Sequence, residues 1–333
     1  MSKLLRAALG AIVAGVLVAS GCAKEPATSG TAPEPAPKAE TQPQGTGQVV
    51  LAYSLSSLSH RFFVDMLDGV QEEAKKQGVK LLEAEAGADA GKQLADVEDL
   101  LQKQPSVMMI TPQDSDAIKP AVAACNEKGV PVVIIDIGAS GGQVDSFIIS
   151  DNYRGGRLAG EYIAAHVPRG SRVAHIRCQL GAANARKRGE GFAAVMKEKG
   201  IQVIPPQPAD SKRDMAMTVM ENLLHANKEI AAVFAENDPM AIGAMLAAEN
   251  AGRLGQMIVV GFNGDPEALE AIRAGKLAAT VMQFPYDMGV EGVKQATKLA
   301  LGQQATQQVD VPVELVTADN IDRFEGYRRK QEP

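Results

Sequence analysis

The chain has 333 residues, 45% of them hydrophobic, which is long enough for two domains and too apolar for global disorder. Its formal net charge of −6 offers no basic face for nucleic acid, and no interleaving of aromatic with basic residues appears. Four histidines, His60, His166, His175 and His225, stand without metal-ligand spacing. The one Gly-x-Ser-x-Gly, at Gly138-Ala139-Ser140-Gly141-Gly142, does not lead from a strand into a helix and so makes no nucleophile elbow; there is no phosphate-loop signature and no Gly-x-Gly-x-x-Gly after the first strand. The glycine-rich run at 138–142 is a loop, since no helix pattern follows it to make a phosphate cradle. These features argue against an enzyme, and no cofactor or metal is expected.

Residues 1–22 carry Lys3 and Arg6, then a short run of small and apolar residues, and end in Ala19-Ser20-Gly21-Cys22. That is the layout of a secretory signal, too short and weakly flanked for a spanning helix. The small residues before Cys22 resemble a bacterial lipobox, so Cys22 is expected to be lipidated and to become the new N-terminus. Each buried acyl methylene would contribute about 0.8 kcal/mol to anchoring. Residues 23–48 are rich in Pro, Ala, Thr, Glu and Gly and nearly devoid of large apolar residues, which predicts a disordered linker. No later stretch is long and apolar enough to span a bilayer. A soluble body, periplasmic or at the cell surface and tethered at one end by lipid alone, is expected.

The body opens with Val49-Val50-Leu51-Ala52-Tyr53, a buried-strand pattern, then a polar turn from Ser54 to Arg61. Phe63, Leu67, Val70 and Ala74 recur at helical spacing, and Gly78 stands where a helix would stop. Of the adjacent Phe62 and Phe63, helix geometry lets one face the core and sends the other toward a cleft. Strand and helix signals then alternate through Val107–Ile110, Val132–Ile135 and Phe147–Ile149, and restart after Ser150-Asp151-Asn152. In the second run a helix is predicted over Gly189–Lys199, followed by strands at Ala231–Ala235, Met257–Gly261 and Ala278–Met282. Two successive runs of β-α units predict an α/β protein with two doubly wound parallel-sheet lobes. Cys125 and Cys178 fall in different runs and are expected to be separate buried thiols.

Several strands end in polar residues where a cleft between such lobes would lie. Thr111 follows Ile110, Asp136 follows Ile135, and Glu236-Asn237-Asp238 follows Ala235. Asn263 comes just after Gly261 and Gln283 after Met282. Singly, each could be a helix cap. Together with two aromatic sites they suit a small polyhydroxylated ligand, whose hydroxyls both donate and accept.

From these residues the chain resembles the periplasmic sugar-binding proteins of bacterial ABC importers, and within them the ribose binders. The likeness runs from Val49 to about Val316 and is carried by Arg61-Phe62-Phe63, Thr111-Pro112-Gln113-Asp114-Ser115-Asp116-Ala117 and Ser150-Asp151-Asn152. It continues in Arg186-Lys187-Arg188-Gly189-Glu190-Gly191-Phe192, Val233 to Asp238, Val260 to Gly264 and Gly275 to Thr280. The resemblance implies a type I binding-protein fold whose lobes are joined by a three-strand hinge. It divides the chain into an N-terminal lobe (49–150 plus 284–312), a C-terminal lobe (151–283 plus 313–320) and a tail (321–333).

The resemblance also implies Phe62, Phe63 and Phe262 as aromatic walls, and Asp136, Arg186, Asn237 and Gln283 as hydrogen-bonding groups to a sugar. Ser56, His60, Thr111, Ile137, Ser211 and Asn263 complete the expected site. Ribose binders carry Asn at the places of His60 and Thr111, Arg at Ile137, Phe at Ser211 and Asp at Asn263. Losing that arginine and phenylalanine predicts a larger, differently polar pocket, for another sugar, a polyol, or a sugar-like molecule with an apolar substituent. The expected function is capture of a small neutral solute and delivery to an ABC transporter permease. The alternative is a sensing module that presents the same solute to a chemoreceptor or sensor kinase. A monomer without nucleic-acid partners is expected.

Overall fold

The computed structural model describes residues 48–329. The predicted signal, Cys22 and all of the linker but Gln48 lie outside them. The chain begins with β1 (Val50–Leu55), α1 (Arg61–Gln77), β2 (Lys80–Glu85), α2 (Ala90–Gln102), β3 (Val107–Thr111), α3 (Lys119–Glu127), β4 (Val132–Ile135) and β5 (Ser146–Ser150). It continues through α4 (Asn152–His166), β6 (Arg172–Arg177), α5 (Ala183–Lys199), β7 (Gln202–Val203), β8 (Gln207–Pro208) and α6 (Arg213–Ala226). Then come β9 (Ile230–Ala235), α7 (Asp238–Asn250), β10 (Ile258–Asn263), α8 (Pro266–Arg273) and β11 (Ala279–Met282). The last elements are α9 (Pro285–Ala300), β12 (Gln308–Val311), β13 (Glu314–Thr317) and α10 (Asp322–Arg329).

Two sheets result. The first has the order β12-β5-β4-β3-β1-β2, and the second β13-β11-β10-β9-β6-β7 with β8 also paired to β6. Every pairing is parallel except β11 with β13. Parallel strands need helical crossovers, and these cover both faces, which is why β3 and β4 can be buried at every position. The chain passes between the sheets three times: from β5 to α4, from β11 to α9 and from β12 to β13. In the first sheet the strand order reverses at β1, and in the second at β6. Such reversals leave a crevice at the carboxyl ends of the strands, where open α/β sheets take ligands.

The helix that matters most for the cleft is α5. It lies on α4 so closely that a Cβ on Gly156 would overlap the Arg188 carbonyl, and one on Gly191 the Tyr153 carbonyl. Missing side chains at these two places thus set the position of Arg188. Periodicity placed the start of this helix at Gly189; it begins six residues earlier, at Ala183. The segment expected to be a tail from residue 321 instead forms α10, because Ile321 and Phe324, three apart, bury themselves in the core of the second sheet. Cys125 and Cys178 are buried and unpaired, as the sequence predicted. Among the described residues no helix is long and apolar enough to cross a membrane.

Candidate functional site

A cavity of about 990 Å³ opens between the carboxyl ends of the two sheets. From the first lobe, the loop after β1 and the start of α1 contribute His60, Phe62 and Phe63, and the end of β4 contributes Asp136 and Ile137. The second lobe contributes Ser211, Asn237, Asn263 and Gln283, each at or near a strand end. These nine expected residues do meet on one cavity.

Phe62 reaches from the cavity into the core of the first lobe, while Phe63 beside it is half-buried. Their rings meet edge to face, with centroids 5.3 Å apart and planes at 78°. Such an arrangement presents aromatic surface on which the C–H face of a sugar ring packs. His60 lies edge-on to Phe63 at 6.3 Å. Burial lowers its pKa from the usual value, so near neutral pH it is an uncharged donor and acceptor.

Asp136 is buried and sits at a φ of +67°, with the Ile137 N–H donating to the Ile135 carbonyl across it. This tight turn is sparsely populated for a residue with a side chain, and such strain recurs at functional sites. Its Oδ1 accepts a 3.0 Å hydrogen bond from Asn184 Nδ2 of the other lobe. Burial raises its pKa above the ordinary carboxylate range, against the opposing pull of the Arg188 charge and the Asn184 bond.

Arg188 is the cationic centre. Its Nε donates to Asn152 Oδ1 at 2.7 Å, Nη1 to the Glu236 carbonyl at 2.8 Å and Nη2 to Gln283 Oε1 at 3.3 Å. The guanidinium lies 4.0 Å above the Phe262 ring centroid. Gln283 in turn donates from Nε2 to Asn263 Oδ1 at 2.9 Å. Asn237 caps α7, its Oδ1 accepting from the Met240 N–H at 2.9 Å, and its Nδ2 donates to the Ser211 carbonyl at 3.4 Å. The polar lining is therefore held in place by its own bonds, with a carboxylate and a guanidinium facing one space.

Four expected residues do not line it. Arg186 donates from Nη1 to the Leu180 carbonyl at 2.6 Å and is replaced at the cavity by Arg188. Positions two apart on a helix point to nearly opposite sides, whereas Asn184 and Arg188, four apart, share one face. Phe262 is fully buried beneath Arg188, so it supports the guanidinium and is not a wall. The Thr111 hydroxyl turns inward to the Tyr53 hydroxyl at 2.9 Å and to Met66 Sδ at 3.5 Å. Ser56 is wholly buried and absent from the lining, its Oγ without a hydrogen-bond partner. Besides Arg188, sequence reasoning missed Asn184, Gln113 and Gln179. The four-residue spacing of Asn184 and Arg188 was the signal available.

Cys178 also lines the cavity, but burial pushes its thiol up to about 12, which leaves it protonated and unreactive. Next to Asn237, Asp238 is buried, with Oδ1 accepting from the Thr280 hydroxyl at 2.7 Å and Oδ2 from the Asp265 N–H at 2.7 Å. Burial raises its pKa from 3.8 to about 6 despite those bonds. Between these values the folded chain holds a proton that the unfolded chain has released, so stability falls as pH rises through the window. A carboxyl NMR titration is expected to give Asp238 a midpoint near pH 6; one at or below the ordinary aspartate value contradicts this.

The lobes touch at the edge of the cavity. The Ser115 N–H donates to the Gly181 carbonyl at 3.1 Å, and the Ala183 N–H to Ser115 Oγ at 3.2 Å. With the Asn184–Asp136 bond these join the α5 terminus to the first lobe.

Comparison with known proteins agrees with this architecture. Residues 51–304 match the periplasmic binding protein domain model. The ribose import binding protein RbsB of Escherichia coli is 40% identical over 266 residues, covering 80% of this chain and 90% of that protein. RbsB of Bacillus subtilis is 40% identical over 270 residues, covering 81% and 88% respectively. A solved ABC transporter solute binding protein from Bacillus halodurans, with bound myo-inositol, superposes with a TM-score of 0.81 at 32% identity, covering 85% of this chain and 99% of that one. Two parallel-sheet lobes crossed three times by the chain, with strand ends meeting at one cleft, are the periplasmic binding protein fold, and the chain belongs to that family.

Proposed function

We propose that this chain is an extracytoplasmic solute-binding lipoprotein that captures a sugar or polyol between its lobes and delivers it to an ABC importer. One observation carries the reading: Asp136, Arg188, Asn237 and Gln283, from both lobes, converge on a cavity walled by Phe62 and Phe63. Hydroxyls donate to the carboxylate and accept from the guanidinium, and such charge-assisted bonds are the strong ones. Phe62 and Phe63 pack on the C–H face of the ring. The names of the relatives, which refer to ribose and myo-inositol, support the same ligand class. On this reading the lobes are 49–150 plus 284–312 and 151–283 plus 313–320, with α10 packed onto the second, and they move as hinged bodies stabilised by ligand contacts to both.

Isothermal titration against pentoses, hexoses and cyclic polyols is expected to give one-site binding for at least one member. Folded protein that binds none of them would falsify the sugar class. The membrane tether is assigned to Cys22, so a Cys22→Ser chain is expected in the soluble extracytoplasmic fraction. Retention of that variant with the membrane contradicts the anchor.

A further inference from the structure

The first turn of α5 has no cap of its own. The N–H groups that begin a helix lack partners within it, and a Ser, Thr, Asp or Asn at the cap position commonly supplies one. Here that position is Ala182, which has no side-chain acceptor. The acceptor comes from the other lobe: Ser115 Oγ, in the loop between β3 and α3, takes the Ala183 N–H at 3.2 Å. The Ser115 N–H donates in turn to the Gly181 carbonyl at 3.1 Å. Ser115 is itself fixed in the first lobe, because its carbonyl accepts from the Ser140 N–H at 2.9 Å and the Ser140 hydroxyl at 3.0 Å.

Ser115 is buried and stands outside the cavity lining. The turn it caps, however, carries groups that do line the cavity. Asn184 accepts the Ala185 N–H on Oδ1 at 2.8 Å and donates from Nδ2 to Asp136 of the first lobe. Arg188 follows one turn later on the same face. The approach of the lobes at this point also depends on Gly181, where a Cβ would overlap Asp114 Oδ2. The other oxygen of that carboxylate is held by the Asp116 and Ala117 N–H groups at 2.8 and 2.9 Å, so it cannot swing aside without losing them. Gly181 is not in the left-handed region, so its missing side chain serves the close approach and not the backbone.

We propose that Ser115 is a positioning residue for ligand capture. By capping α5 from across the cleft it favours the closed arrangement in which Asn184 meets Asp136, and so sets affinity without touching the ligand. When the lobes part, water satisfies the Ala183 N–H, so the bond acts on closure and not on folding. A residue that changes the closed population rescales the affinity of every ligand by one factor. This role deepens the proposed function and rests on it.

The test is titration calorimetry with D-ribose, D-allose and myo-inositol on the wild-type chain, Ser115→Ala and Gly181→Ala. Ser115→Ala is expected to weaken each compound that binds by the same factor of about ten, the size of a lost helix cap, and to leave the unliganded melt little changed. Gly181→Ala, whose Cβ wedges the lobes apart, is expected to weaken all of them by about tenfold or more. It is also expected to raise the radius of gyration of the ligand-saturated protein in small-angle scattering. Unchanged affinity in Ser115→Ala overturns the role, whether or not the melt falls. Unequal factors among the compounds overturn it too, since Ser115 would then sense the ligand. Gly181→Ala gives an independent reading should Ser115→Ala not fold, and wild-type affinity and size in that variant overturn the lobe contact. These outcomes leave the proposed function intact; absence of wild-type binding across pentoses, hexoses and cyclic polyols overturns both.

Discussion

Replacing Arg188 by alanine is expected to weaken binding of any recognised sugar by about a hundredfold or more and to destabilise the unliganded protein by about 3–5 kcal/mol. The size follows from what the guanidinium does. It is buried, it satisfies Asn152, the Glu236 carbonyl and Gln283, and it lies over Phe262. Alanine would leave those buried acceptors without their donor, and would leave the buried Asp136 without the nearby positive charge that offsets its burial. Arg186→Ala is the matched control, since its bond to the Leu180 carbonyl is exposed. It is expected to change binding and stability little. Calorimetric titration and denaturant unfolding of the two variants read both effects; equal losses in the pair would contradict the assignment.

Phe62→Ala is expected to cost about 3–5 kcal/mol of stability, because it empties a buried aromatic site in the core of the first lobe. The same change removes the ring that holds Phe63 edge-on at 5.3 Å, so binding falls too. Phe63→Ala, at a half-buried position, is expected to spare most of the stability and to weaken binding by about tenfold. Thermal melts with and without ligand separate the two. The arrangement fails if Phe63→Ala unfolds the protein while Phe62→Ala is tolerated.

Much of this was legible in the sequence for identifiable reasons. Strands such as β3 and β4 are covered on both faces, so they appear as unbroken apolar runs, and the polar residues ending them mark the cleft. Asp136, Asn237 and Gln283 were found that way. The start of α5 was not, because Ala182 stands at its cap position without a side-chain cap bond and the first turn holds no acidic residue. With no start signal, the helix could not be phased, and Arg186 could not be told from Arg188. Thr111 and Phe262 were misassigned for a different reason. Each lies in a strand that ends at the cleft, but the facing of one side chain depends on what packs beside it. Tyr53 and Met66 draw the Thr111 hydroxyl inward, and the absence of a side chain on Gly155 leaves room for the Phe262 ring below Arg188. The last helix escaped notice because its apolar anchors, Ile321, Phe324 and Tyr327, stand spaced among polar neighbours.

The central assertion is that one neutral polyol is gripped by both lobes at once, between aromatic rings and a carboxylate–guanidinium pair. A crystal structure with the tightest-binding compound of the calorimetric series tests it most directly. The expected result places ring hydroxyls within hydrogen-bond distance of Asp136 and Arg188 and the C–H face of the ring against Phe62 or Phe63. Ligand density outside this cleft, or within it but touching only one lobe, would contradict the account.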